Sequence, residues 1–148
     1  MLASAGARAA GPLFTALERL DRGRLIPATL HESTRRILIY CGAGWCGPCR
    51  AFQVRLRAAQ EQLQKESAIE IMYVGHDSTV QAHRDYVIRE RMPWLLARHD
   101  APATRQLRAL GGKALPGLLL MDMSGQLLRT SWTADGASAP ARLLNELI

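Results

Sequence analysis

Gly44-Trp45-Cys46-Gly47-Pro48-Cys49-Arg50 stands between an apolar run, Ile37-Leu38-Ile39-Tyr40-Cys41, and a stretch in which Phe52, Leu56, Ala59 and Leu63 recur at helical spacing. The run reads as a buried central strand. The stretch, from Pro48 to about Glu66, reads as one long helix with Arg55, Arg57, Glu61, Gln64 and Lys65 on its outer face. Two cysteines in a C-x-x-C spacing at a helix start have a definite chemical use. The first thiol lies at the positive end of the helix dipole, which favours the thiolate. The second lies one turn inside, within reach of the first, so the pair can cycle between dithiol and disulfide. Pro48 suits the first helical turn because its missing N–H would have no partner there.

Three other uses of this segment fit less well. For structural zinc the remaining ligand types are Cys41, His31, His76, His83 and His99, and no second pair has finger spacing. Gly42-x-Gly44-x-x-Gly47 matches the dinucleotide pattern after a strand, with Asp77 beyond the next strand. It lacks an acidic residue about 20 positions on, and the chain has no room for a second mononucleotide half. Inert core cysteines explain a Cys-Gly-Pro-Cys tetrad beside a tryptophan poorly, although a non-catalytic module on the same fold stays open.

Outward from the motif, Phe14, Leu17 and Leu20 suggest a short amphipathic helix between Pro12 and Gly23, and Leu25–Leu30 a brief edge strand. Ile69–Val74 reads as a second strand, Val80–Arg91 as a helix closed by Pro93, and Pro102–Leu110 as another helix ended by Gly111-Gly112. Leu118–Met121 and Gln126–Trp132 form a hairpin about Ser124-Gly125, and Ala139–Ile148 closes the chain with a helix. The long first crossover implies a parallel pair, whereas the hairpin is antiparallel. The expected architecture is an α/β fold: a central mixed β-sheet with helices on both faces.

The 148 residues fit one domain, here 13–148, preceded by a loose, small-residue tail at 1–12. With 48% hydrophobic and 22% charged residues the chain is neither disordered nor membrane-spanning. Three cysteines are too few for a disulfide scaffold. The net charge of +6 comes from scattered arginines, and no basic-aromatic motif for stacking bases occurs, so neither a nucleic-acid nor a membrane partner is expected. Met1–Ala10 has no basic n-region or apolar h-region and does not read as an intact signal peptide. One C-x-x-C plus an odd cysteine favours a reducing cytoplasm, with a periplasmic or secreted location as the alternative if a leader has been trimmed.

Trp45-Cys46-Gly47-Pro48-Cys49 resembles the active-site motif of the thioredoxin superfamily, and the resemblance runs from about Leu17 to Thr130. It is nearest to the tryparedoxin and nucleoredoxin branch. Met92-Pro93-Trp94-Leu95 resembles that branch's Met-Pro-Trp-Leu segment, Leu110–Pro116 its loop before a cis-proline, and Met121–Gly125 its Asp-x-x-Gly hairpin. There are departures. Gly47 replaces the first proline of the tryparedoxin motif. Tyr40 stands where thioredoxin has a buried aspartate, Leu115-Pro116-Gly117 replaces Ile-Pro-Thr, and Cys41 stands at a common phenylalanine position.

The resemblance implies a thioredoxin-like fold and a thiol–disulfide oxidoreductase. Cys46 would attack and Cys49 resolve a mixed disulfide with a disulfide-containing protein substrate. An unidentified thiol donor or reductase would recharge the pair. No cofactor beyond the Cys46–Cys49 disulfide, no metal and a monomeric state are expected. The alternative is a redox-inactive binding module. Trp45 reads as a surface platform beside the disulfide or as packing. Gly47, Pro48, Leu115 and a cis Pro116 would contact substrate. Arg50, His76 and Tyr40 are candidates for electrostatic tuning, His76 because strand ends in a parallel pair share one edge. His31, His83 and His99 read as surface residues, and Met92, Met121 and Met123 as packing.

Overall fold

Leu38 and Tyr40 turn to one side of the sheet and Ile37, Ile39 and Cys41 to the other, and all five are buried. A strand buried on both faces belongs in the interior of a sheet, and β3 (Arg36–Gly42) sits there, flanked on both sides. The computed structural model describes residues 11–148. The remaining strands are β1 (Leu17–Asp21), β2 (Arg24–Ala28), β4 (Ile69–Gly75), β5 (Leu95–Ala97), β6 (Gly117–Asp122) and β7 (Leu127–Thr130). They form one sheet in the order β2-β1-β5-β4-β3-β6-β7. β3 pairs parallel with β4 and antiparallel with β6, so the sheet is mixed as expected.

Four helices cover it among the described residues: α1 (Gly47–Ser67), α2 (Val80–Arg89), α3 (Pro102–Leu110) and α4 (Pro140–Leu147). Phe52, Leu56, Ala59 and Leu63 of α1 join Tyr86 and Val87 of α2 and Leu143 and Leu144 of α4 on the Leu38–Tyr40 face. Leu107 of α3 and Phe14, from a 3-10 turn at Pro12–Phe14, cover the opposite face. The helix expected between Pro12 and Gly23 is instead this turn followed by a β1–β2 hairpin. Arg22 and Gly23 take φ of 54° and 78°, and such a two-residue left-handed turn matches strand twist. β5, which the sequence reading did not find, is a three-residue buried strand between β4 and β1. Of the expected 1–12 tail only Gly11 and Pro12 are described, and the Gly11 N–H donates to Met123 O (2.8 Å).

A candidate dithiol–disulfide active site

β3 delivers the chain into α1 through Ala43–Cys46, and the turn is held from both sides. The Gly44 N–H donates to both carboxylate oxygens of Asp77 (3.1 and 3.2 Å), and Arg50 Nη1 donates to Gly44 O (3.0 Å). Asp77 lies just beyond β4, whose end runs parallel to the end of β3. His99 Nε2–H in turn donates to Asp77 O (2.6 Å). The turn is thus tied to the neighbouring strand before the first cysteine.

Cys46 is the N-cap of α1, in extended conformation, and its sulfur accepts from the Cys49 N–H (3.2 Å). This hydrogen bond and the helix dipole both favour negative charge on Cys46 Sγ. The two cysteines form a disulfide with Cα atoms 5.3 Å apart. Cys46 keeps 4% of its surface exposed, whereas Cys49 keeps none. Trp45 is 68% exposed beside them, which favours the platform reading over packing, and Gly47 and Pro48 are exposed on the same turn. Leu115 packs against Ala43, Cys46 and Cys49, and the Leu115–Pro116 bond is cis. The structure therefore brings Trp45, Cys46, Gly47, Pro48, Cys49 and Leu115-Pro116 together.

The three tuning candidates divide. Arg50 is exposed and lends a positive charge one turn from Cys46 while bonding Gly44 O. Tyr40 is wholly buried and its hydroxyl donates to Cys49 O (3.1 Å). Burial, with Tyr86, Cys41 and Glu90 nearby, raises its pKa far above the usual tyrosine value, so it acts as a neutral hydrogen-bond donor. Its ring packs among Phe52, Tyr73 and Trp94 at centroid distances of 5.8, 5.3 and 5.7 Å. His76 does follow β4, with its N–H on Gly42 O (2.8 Å). Burial, then Arg108 and His99, push its pKa down to about 4. It is uncharged at neutral pH and brings no positive charge to the thiols there.

The expectation of three surface histidines needs a correction. His31 is exposed, but His83 shows only 1% of its surface and His99 is half-buried. His83 lies parallel to Tyr73 (5.9 Å between centroids, 6° between planes) and 5.2 Å from His99. A one-in-four apolar spacing on α2 did not mark it, because its partner is an aromatic ring on β4. Arg108 was also missed. It reaches from α3 to donate to Gly75 O (2.7 Å) and His99 O (2.6 Å), closing the end of β4 behind the site. Met92 and Met121 are buried and Met123 packs at the rim, as read.

A family model described as thioredoxin-like matches residues 35–127, which includes the whole C-x-x-C turn and the cis-proline loop. The chain belongs to the thioredoxin-like family. Among curated relatives, a probable nucleoredoxin 1 of Arabidopsis thaliana is 29% identical over 96 residues, covering 64% of this chain and 16% of that protein. The tryparedoxin of Trypanosoma brucei brucei is 26% identical over 115 residues, covering 72% and 78%. The chain spans only 16 to 22% of the nucleoredoxins it matches. Solved structures agree on the fold. Tryparedoxin II from Crithidia fasciculata superposes with a TM-score of 0.64 at 24% identity, over 80% of this chain and 83% of that one. A thioredoxin from Wuchereria bancrofti gives 0.68 at 21% identity, over 93% and 96%. This thioredoxin-like chain thus has a mixed sheet with its C-x-x-C pair at the family's strand-to-helix turn.

Proposed function

We propose that this protein is a thiol–disulfide oxidoreductase that reduces disulfides through Cys46 and Cys49. The observation that carries the reading is the asymmetry of the pair: Cys46 is the N-cap sulfur and reaches the surface, whereas Cys49 is sealed inside the first turn. Family membership supports it, because thioredoxin-like oxidoreductases act on disulfide substrates with thiol reductants.

In the reduced protein the Cys46 thiolate attacks one sulfur of the target disulfide. The target S–S bond breaks, a Cys46–target disulfide forms, and the first target sulfur leaves as a thiolate that takes up a proton. Cys49 then loses its proton and attacks Cys46 Sγ. The mixed disulfide breaks, the second target thiolate leaves, and Cys46–Cys49 closes. Two electrons and two protons pass to the target, and an external thiol donor returns them. Tyr40, bonded to Cys49 O, and the Cys49 N–H on Cys46 Sγ keep the two cysteines side by side for the second attack. Trp45 and the Leu115-Pro116 edge are where a protein target would rest. The cysteine pattern suits a reducing compartment such as the cytoplasm.

The test is trapping. Cys49→Ser removes only the second attack, so it should accumulate mixed disulfides through Cys46 that dissolve in reductant. Cys46→Ser should trap almost nothing, and the wild type with dithiothreitol should precipitate insulin. Equal trapping by both variants would overturn the assigned roles. If neither traps while both are folded, a redox-inactive binding module is the correct reading.

A further inference from the structure

Trp132 lies 16 residues beyond Pro116 in the chain, after β7, yet its indole is built into the loop that carries Pro116. Its Nε1–H donates to Ala114 O (2.9 Å). The ring also lies against three glycines. A Cβ on Gly111 would stand 2.7 Å from the ring, one on Gly112 would stand 2.5 Å from it, and one on Gly117 would overlap it outright. None of these three glycines has a positive φ, so their backbones do not require glycine. The indole does.

The residue before it completes the grip. The Ser131 N–H donates to Leu118 O (2.9 Å), and Ser131 Oγ accepts from the Leu118 N–H (2.8 Å). Ser131 Oγ also meets Ser138 Oγ (2.8 Å), and Trp132 bridges to Ser138. Consecutive residues therefore hold both ends of the segment 114–118: Trp132 at Ala114 and Ser131 at Leu118. Between those two anchors lies Leu115, whose side chain packs against Cys46 and Cys49.

We propose that Trp132 is a positioning residue for substrate recognition: it braces the 114–118 edge so that the Leu115 backbone is pre-set to receive an extended segment of a protein disulfide beside Cys46. This rests on the reading of the protein as a thiol–disulfide oxidoreductase. The brace does not touch the sulfurs, so it acts on binding of a large substrate and not on thiol reactivity. Pre-ordering a loop in its bound form lowers the cost of association.

The experiment compares the wild type with Trp132→Phe, which removes the N–H to Ala114 together with the outer indole atoms that lie over Gly111 and Gly117 and leaves a smaller ring in their place. Insulin reduction is measured for KM and kcat, and the reduced protein is separately reacted with a small aromatic disulfide that needs no extended contact. Trp132→Phe should raise KM for insulin about three- to tenfold, the range that losing one buried hydrogen bond allows. Its kcat and its rate with the small disulfide should stay within about a factor of two. An unchanged KM, or an equal fall in both reactions, overturns the proposal. Hydrogen exchange of the 114–118 amides in the disulfide form supplies a readout that needs no turnover. Faster exchange confined to that segment in Trp132→Phe is expected, and unchanged exchange overturns the brace. If the wild type fails to reduce insulin, the enzymatic reading fails, and the exchange result then judges the brace separately.

Discussion

At the scale of single residues the chain separates its cysteines by environment. Cys46 has a helix N-terminus, an N–H donor and access to solvent. Cys41 is five residues upstream, wholly buried on the opposite face of the sheet with Ile37, Ile39, Val74 and Leu119. Burial pushes its pKa up to about 12 against a smaller opposing pull from Arg108, so it stays a neutral thiol. It is a small apolar side chain in effect. Cys41→Ala should keep insulin reduction intact and cost about 1 kcal/mol of stability, because a small cavity replaces the sulfur. Cys41→Ser should cost more, about 1–3 kcal/mol, since it buries a hydroxyl among apolar neighbours. Denaturant midpoints and turnover measured side by side check both. A loss of turnover as deep as that of Cys46→Ser would give Cys41 a chemical role.

At the scale of elements, α1 is the piece on which the site depends. Its N-cap is Cys46 itself, and its buried stripe Phe52, Leu56, Ala59 and Leu63 seats it on the sheet. Its far end is less well matched to its residue. Ala68 takes the left-handed C-cap conformation (φ 52°, ψ 38°), with its N–H on Leu63 O, and its own carbonyl accepts from Arg35 and Arg36 at the start of β3. A Cβ is unfavourable in that conformation and glycine is not. Ala68→Gly should therefore stabilise the protein by about 0.5–1 kcal/mol, raising Tm by roughly 2–3 °C with turnover unchanged. A lowered Tm would mean that the Ala68 methyl packs for more than its backbone costs. The β1–β2 hairpin shows how an element can hide. Phe14, Leu17 and Leu20 fit a helical stripe, but Asp21-Arg22-Gly23-Arg24 is a two-residue turn signal, and pairing of β1 with β5 decides for strand.

At the scale of the molecule, the space behind the site holds His76 and His83 in neutral form. Burial, then Arg108 and His99, lower His76 to about 4, and burial, then His99, Arg108 and Arg84, lower His83 to about 4, each from 6.5. Between those values the unfolded chain binds more protons than the folded one. The stability they contribute is therefore complete above about pH 6.5 and is lost as pH falls toward 4. By pH 5 the loss from His83 alone is about 2 kcal/mol. Tm should drop between pH 7 and pH 5, and His83→Phe, which keeps a ring against Tyr73, should flatten the drop. A variant with the wild-type slope would show that His83 is not the group that titrates.

Local pattern alone determined much of this protein. The apolar run of β3, the 3.6-residue stripe of α1 and the C-x-x-C at their junction are contiguous, so the strand-to-helix turn, the roles open to Cys46 and Cys49, and the mixed sheet could be read directly. Gly47 and Pro48 were legible for the same reason. Other features were decided only when distant segments met. β5 is three residues long and exists because β4 and β1 lie on either side of it. His83 is buried because Tyr73 lies parallel to it. Asp77 holds Gly44 across 33 residues, and Arg108 holds Gly75 across another 33. Trp132 holds the Pro116 loop from beyond the next two strands. Periodicity reports which face of an element is apolar, but it carries no information about which partner covers that face or which donor meets an irregular loop. Those pairings depend on the register and order of the sheet, and they are what turn a reactive sequence motif into a positioned site.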